Sequence, residues 1–116
     1  MRMESEELGQ GFIRIRLNGR LNMQGTQAVE TQFAALTSGE KVFAAVDMSQ
    51  VNFLASIGMR MLLSGARAAN GGGGAVALYG VQAMVMQVLQ TSGVASLIPV
   101  ESDFDAASAV LVRASK

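Results

Sequence analysis

The alternation of apolar and polar residues near the start of the chain predicts a strand with one solvated face. Phe12, Ile13, Ile15 and Leu17 are interleaved with arginines and an asparagine. A period of two residues is typical of a half-buried strand near a sheet edge. Across the turn GQG, residues 3–8 are predicted as a short partner strand, so the chain is expected to open with a hairpin.

Three later segments are apolar without alternation. The runs KVFAAVDM at 41–48 and AVALYG at 75–80 are predicted as strands covered on both faces, as in a parallel sheet. The run SLIPV at 96–100 is predicted as a last strand, and its proline suits a sheet edge.

Apolar residues at helical spacing lie between these strands. They predict helices over residues 26–37, 56–70, 81–90 and 102–114. Strands that alternate with helices indicate an α/β layer fold with right-handed crossovers. We therefore expect a single domain over residues 1–116, with a mostly parallel central sheet of about four or five strands and about four helices.

The second predicted helix has three faces when its residues are placed at about 100° intervals. The core face consists of Met59, Leu62, Leu63, Ala66 and Ala69. The polar face consists of Ser56, Arg60, Ser64 and Arg67. A third, mildly apolar face consists of Ile57, Met61, Gly65 and Ala68. A surface helix usually needs one apolar face, so the third is either covered by a neighbouring segment or binds a partner.

Ser56 stands where a strand ends and this helix begins, and that position allows two roles. Serine is a preferred N-cap residue. The same position suits a phosphate, because a helix N-terminus presents free N–H groups and a partial positive charge, and Arg60 follows one turn later. Phosphorylation would add about −1.5 to −2 charges at the rim of the apolar face and oppose an apolar partner. The two roles are compatible.

The composition excludes several classes of function. Nine basic and nine acidic residues cancel without forming a basic cluster, so binding to nucleic acid is not favoured. The absence of cysteine and histidine removes disulfides, thiol and imidazole catalysis and most zinc sites. The sequence also has no phosphate loop and no carboxylate dyad. An enzyme or nucleotide-binding domain is therefore the least favoured class, and no cofactor is expected.

The hydropathy of the chain favours a cytoplasmic domain. The start MRMESEELGQ is polar and has no apolar core like that of a signal peptide. No apolar run reaches the roughly 18 residues needed to cross a bilayer, so no direct insertion into a membrane is expected.

The stretch VDMSQVNFLASIGMRMLL, at 46–63, resembles the signature of the STAS domain family, whose founding members are bacterial anti-sigma-factor antagonists. The positions that match are Asp47, Ser49, Val51, Phe53, Ser56 and Gly58. The segment 13–22 resembles the second strand of the family and the loop after it, and the segment 71–98 resembles its fourth strand, third helix and "SG" turn. The resemblance thus covers nearly the whole chain.

The resemblance implies a binding module that catalyses nothing. In its unphosphorylated form such a protein binds an anti-sigma factor of the serine/threonine-kinase type, and phosphorylation of the residue matching Ser56 breaks the complex. Residues expected to support the phosphate or its loop are Asp47, Asn22, Gly58 and Arg60. Residues expected to contact the partner are Ile57, Met61, Arg60 and Ser64.

Two positions depart from the pattern of the phosphorylated members. Ala55 and Asn22 stand where those members commonly carry acidic residues. The alternative expectation is therefore a STAS scaffold or an accessory subunit of a signalling or membrane-transport complex that works without phosphorylation. A homodimer formed through exposed apolar surface is also open.

Overall fold

The computed structural model describes residues 1–116 and contains one sheet of five strands together with four α-helices. The strands are β1 Arg2–Gly9, β2 Phe12–Leu21, β3 Phe43–Leu54, β4 Ala75–Tyr79 and β5 Val100–Glu101. The helices are α1 Met23–Thr37, α2 Ser56–Gly71, α3 Ala83–Thr91 and α4 Phe104–Ala114. The strands lie in the order β1-β2-β3-β4-β5. β1 is antiparallel to β2 and all other pairs are parallel, which confirms the predicted α/β fold.

The two faces of the sheet are covered unequally. Helices α1, α2 and α3 pack on one face over a core of 20 buried residues, whereas α4 packs on the other over a cluster of six. Strand β3 serves both cores, since Ala44 and Val46 face the first and Phe43 and Ala45 face the second. Its apolar run therefore shows no alternation.

Strands β2 and β3 extend to Leu21 and Leu54, beyond the ends that their apolar patterns predict. Their parallel pairing continues to Leu21 and Leu54, with register shifts between Arg16 and Asn18 and again between Gly19 and Arg20. These irregularities interrupt the period of two that identifies a strand in a sequence. The extended pair carries the chain to the start of α2.

The boundaries of other elements also differ from the prediction, and helix α4 begins at Phe104 rather than at residue 102. Helix α1 begins at Met23 rather than at residue 26, because Asn22 caps it. Helix α3 begins at Ala83 rather than at residue 81. The last strand is only Val100–Glu101, and a short 3-10 helix, Val94–Ser96, occupies part of the segment predicted as strand. None of the helices combines the length and apolar character that crossing a membrane requires.

Candidate partner-binding site

The start of α2 places Ser56 on the surface. The pairing of Leu21 with Leu54 brings the ends of β2 and β3 together, and the Ala55 N–H donates a 2.9 Å hydrogen bond to the Leu21 carbonyl. The helix begins at Ser56, so the N-cap residue is Ala55 and no side chain caps the helix. The prediction that Ser56 is the cap is therefore wrong. Its side chain lies exposed at the first helical position.

Gly58 allows α2 to begin this close to the sheet. A Cβ atom at this position would lie 2.9 Å from the Leu21 Cβ, 2.9 Å from the Leu54 Cδ1 and 3.0 Å from the Leu21 carbonyl oxygen. All three distances are shorter than van der Waals contact. Glycine is thus required by packing at this position.

Asn22 lies at the same edge of the sheet, one residue beyond the pairing of β2 with β3. Its side-chain oxygen accepts a 2.8 Å hydrogen bond from the Gly25 N–H and caps α1. The structure thus brings Asn22, Gly58 and Ser56 to one region, and the amide of Asn22 is engaged in capping its own helix.

Asp47 lies elsewhere. It precedes Leu54 by seven residues on β3, which is roughly 20 Å of strand. Its carboxylate accepts a 2.9 Å hydrogen bond from the Ser49 N–H and lies 3.8 Å from the Arg16 Nε. Asp47 therefore supports the local backbone of β3, and the structure does not bring it together with Ser56.

Asp47 pairs in register with Tyr79 of β4, and Tyr79 belongs to the cluster of six buried residues on the α4 side of the sheet. Burial raises the pKa of Tyr79 above its ordinary value, and the negative charge of Asp47 raises this pKa further. The phenol is therefore protonated at neutral pH, and the cluster offers no general base in the form of a tyrosinate. No group of three or more His, Cys, Asp or Glu side chains is placed to hold a metal ion.

The residues expected to contact a partner line one groove between α1 and α2. Its volume is about 750 Å³, and Ile57, Arg60, Met61 and Ser64 all contribute to its α2 wall. Arg60 and Ser64 are exposed and Ile57 is half-buried. Met61 is only 7% exposed, so it belongs to the floor of the groove and to the core.

Helix α1 explains the burial of the third face of α2. A Cβ atom at Gly65 would collide with the ring of Phe33, which is fully buried. Two helices approach closely where one of them carries a residue without a side chain. A neighbouring helix therefore covers Met61 and Gly65, which is the first of the two outcomes expected for the third face, and it leaves little of the Met61 side chain for a partner to contact.

Two features near the site are not evident from the sequence. The guanidinium of Arg20 lies 4.4 Å from the ring centre of Phe53, and this ring is 39% exposed. The α1 wall of the groove carries a single charged residue, Glu30. Both features depend on which elements become neighbours, and a helical wheel or a strand pattern does not contain that information.

The site presents an exposed serine at the start of α2 and an open groove beside it. The family model described as "Mlab, STAS domain" matches residues 7–99. The chain belongs to the STAS domain family, whose members are typically non-catalytic.

Solved structures agree with this fold. An anti-sigma factor antagonist from Mycobacterium paratuberculosis is 17% identical with a TM-score of 0.83, and the alignment covers 95% of this chain and 92% of that one. Phosphorylated SpoIIAA from Bacillus is 17% identical with a TM-score of 0.68, covering 94% and 99%. The STAS domain of a SulP transporter from Vibrio cholerae is 20% identical with a TM-score of 0.72, covering 92% and 86%. No curated protein matches the sequence significantly.

Proposed function

We propose that this protein is an anti-sigma-factor antagonist controlled by phosphorylation of Ser56. The unphosphorylated form binds an anti-sigma factor of the serine/threonine-kinase type in the cytoplasm and thereby frees a sigma factor. The protein itself catalyses nothing and uses no cofactor. The observation that carries the proposal is the exposed side chain of Ser56, which the helix does not use as a cap.

The surroundings of Ser56 support a switch. The uncapped first turn of α2 presents N–H groups to an anion, and Arg60 lies at the i+4 position, where it can pair with a phosphate. The same turn begins the wall of the groove that contains Ile57, Arg60 and Ser64. A phosphate there would place a charge against any apolar surface of a bound partner, which costs free energy because the charge is desolvated.

The test is the intact mass of the protein purified from its native host, with and without phosphatase treatment. We expect one added phosphate, mapped to Ser56 and absent from Ser56→Ala. The matched control is Ser64→Ala, which removes an exposed hydroxyl from the same face of α2 and keeps the added mass. In binding assays with the kinase-type partner, Ser56→Asp should lose binding and Ser56→Ala should bind constitutively.

A second function is favoured by Ala55 and Asn22, which supply no carboxylate around Ser56. In that case the domain is a scaffold or an accessory subunit of a transport or signalling complex, as the likeness to the SulP transporter domain suggests. A single unmodified mass during both growth and stress, together with co-purification with an ATPase, would select this function and reject the phosphorylation switch.

A further inference from the structure

Two charged residues face each other across the α1/α2 groove without forming a pair. Glu30 lies on the α1 wall and Arg60 on the α2 wall, and both are exposed. The ion pairs of the structure join Arg14 to Glu6 and Arg16 to Asp47. Neither Glu30 nor Arg60 therefore has an ionic partner within its own chain.

The surface between these two charges is smooth. The exposed residues that line it on both walls are Thr31, Ala34, Ser38, Ser64 and Ala68. Glu30 is also the only charged residue of α1. Helices with small surface residues can pack at short interaxial distances, about 8 to 10 Å. The groove can therefore accept another helical surface, and its specificity would come from the two charges at its rims.

We propose that a second copy of this chain occupies the groove, so that Glu30 of each copy pairs with Arg60 of the other. In a two-fold symmetric interface residue i contacts residue j, and residue j contacts residue i. A groove with one acidic and one basic wall is complementary to itself under this symmetry. A two-fold axis passing through the groove therefore forms two identical ion pairs, each between Glu30 of one copy and Arg60 of the other.

The dimer would control access to the site. It covers Ile57, Arg60 and Ser64, which are the exposed or half-exposed residues that we assign to the partner surface. A bound partner and a second copy therefore compete for one surface. The dimer is the form that cannot bind the partner. The dimer itself rests on the groove alone, whereas this competition also rests on the proposed function.

Sedimentation equilibrium of the full chain tests the dimer through charge reversal. We expect the wild type to dimerise, and Glu30→Arg and Arg60→Glu each to raise the dimer dissociation constant roughly tenfold or more, because each reversal sets like charges together twice per dimer. The double variant Glu30→Arg/Arg60→Glu should restore dimerisation. The matched control is Arg67→Glu, since Arg67 is exposed on α2 and lies outside the groove. It should leave the dissociation constant unchanged.

A monomeric wild type would overturn the dimer and leave the groove to a different protein. A double variant that stays as weak as either single variant would also overturn it, provided that circular dichroism shows all variants folded. These failures differ from a failure of the proposed function. A monomer that is phosphorylated on Ser56 removes only the dimer, and a dimer that is never phosphorylated removes only the switch.

Discussion

Helices α2 and α4 begin in different ways. At α4 the Asp103 side chain accepts a 2.8 Å hydrogen bond from the Ala106 N–H, so a side chain satisfies the first turn. At α2 the N-cap is Ala55, whose methyl side chain cannot accept a hydrogen bond from the first turn. The first turn instead fits closely against Leu21 and Leu54 at Gly58. Helix α1 follows the pattern of α4, since Asn22 caps it.

The difference shows that a helix can begin without a side-chain cap when its first turn packs closely on the sheet. A missing cap costs about 1 kcal/mol, and at α2 no side chain recovers that cost. The N–H groups of the first turn and the hydroxyl of Ser56 then remain open to a partner or a phosphate. The start of α4 is closed by the side chain of Asp103.

The largest effect is expected from breaking the fit that replaces the cap. Gly58→Ala would place a methyl group 2.9 Å from the Leu21 Cβ, where neither the strand nor the helix can shift freely. Overpacking of this kind costs about 1–3 kcal/mol, and the better helix propensity of alanine returns about 0.5–1 kcal/mol of it. Urea unfolding should show a net loss of stability.

The control for this variant is Gly71→Ala. Gly71 is also in α2, and a Cβ atom there would meet nothing within 4 Å. This variant should be neutral or slightly more stable than the wild type. If Gly58→Ala behaved in the same way, packing would not be what holds the start of α2.

Removal of the caps should give the next largest loss of stability. It should also distinguish the capped helices α1 and α4 from the uncapped helix α2. Asn22→Ala and Asp103→Ala each delete a hydrogen-bonded cap and should lower the free energy of unfolding by about 1 kcal/mol. Ser56→Ala removes a hydroxyl that caps nothing and should change it by less than about 0.5 kcal/mol. A loss as large for Ser56→Ala as for Asp103→Ala would contradict the uncapped start.

The sequence was sufficient for the order of the elements, because periodicity reports which residues of an element share a face. It did not show that Met61 and Gly65 of the third face of α2 are buried while Met59 and Leu63 of the predicted core face are only half-buried. The sequence pattern pointed to Ser56 as the N-cap of α2, whereas the cap is Ala55, one residue earlier. The residue at which the helix begins depends on how β2 pairs with β3. The pairing is irregular, so the true end of β3 was hidden as well.

The groove between α1 and α2 was also beyond what the sequence pattern could predict. A helical wheel identified Ile57, Met61 and Gly65 as one face, but it could not show that α1 covers only part of it. That outcome depends on the ring of Phe33 fitting against Gly65, a contact between residues far apart in the chain. The facing pair of Glu30 and Arg60 follows from the same helix packing and was not predicted.

A smaller, stabilising effect is expected when α2 is given the cap that it lacks. Ala55 already has the extended backbone of an N-cap residue, with φ −95° and ψ 171°. Ala55→Ser should therefore bond an N–H group of the first turn and raise the free energy of unfolding by about 0.5 kcal/mol. Thermal unfolding checks this gain, and Ser102→Ala, an exposed change beside α4, is the control for a neutral substitution. No gain at Ala55→Ser would mean that those N–H groups are already satisfied.

The smallest effect concerns pH and the start of α4. The ring of Tyr79 packs edge-on against Phe104, the first residue of α4, with ring centres 5.7 Å apart. Burial, and then the Asp47 charge, raise the pKa of Tyr79 above its ordinary value of 10.0. The folded state thus holds this proton more tightly than the unfolded state. The resulting stability is present in full below pH 10.0 and is lost as the pH rises through the pKa of the folded protein.

Tyr79→Phe should therefore flatten the decline in stability at alkaline pH. Urea unfolding at a series of pH values above neutrality measures this decline. Phenylalanine keeps the packing against Phe104 and removes only the ionisable group, so the curves of the variant and the wild type should run parallel below pH 10.0 and diverge above it. Curves that remain parallel throughout would mean that another group causes the decline. The start of α2 has no such titrating neighbour among the residues that hold it, namely Leu21, Leu54 and Gly58, so no corresponding alkaline loss is expected from that end of the fold.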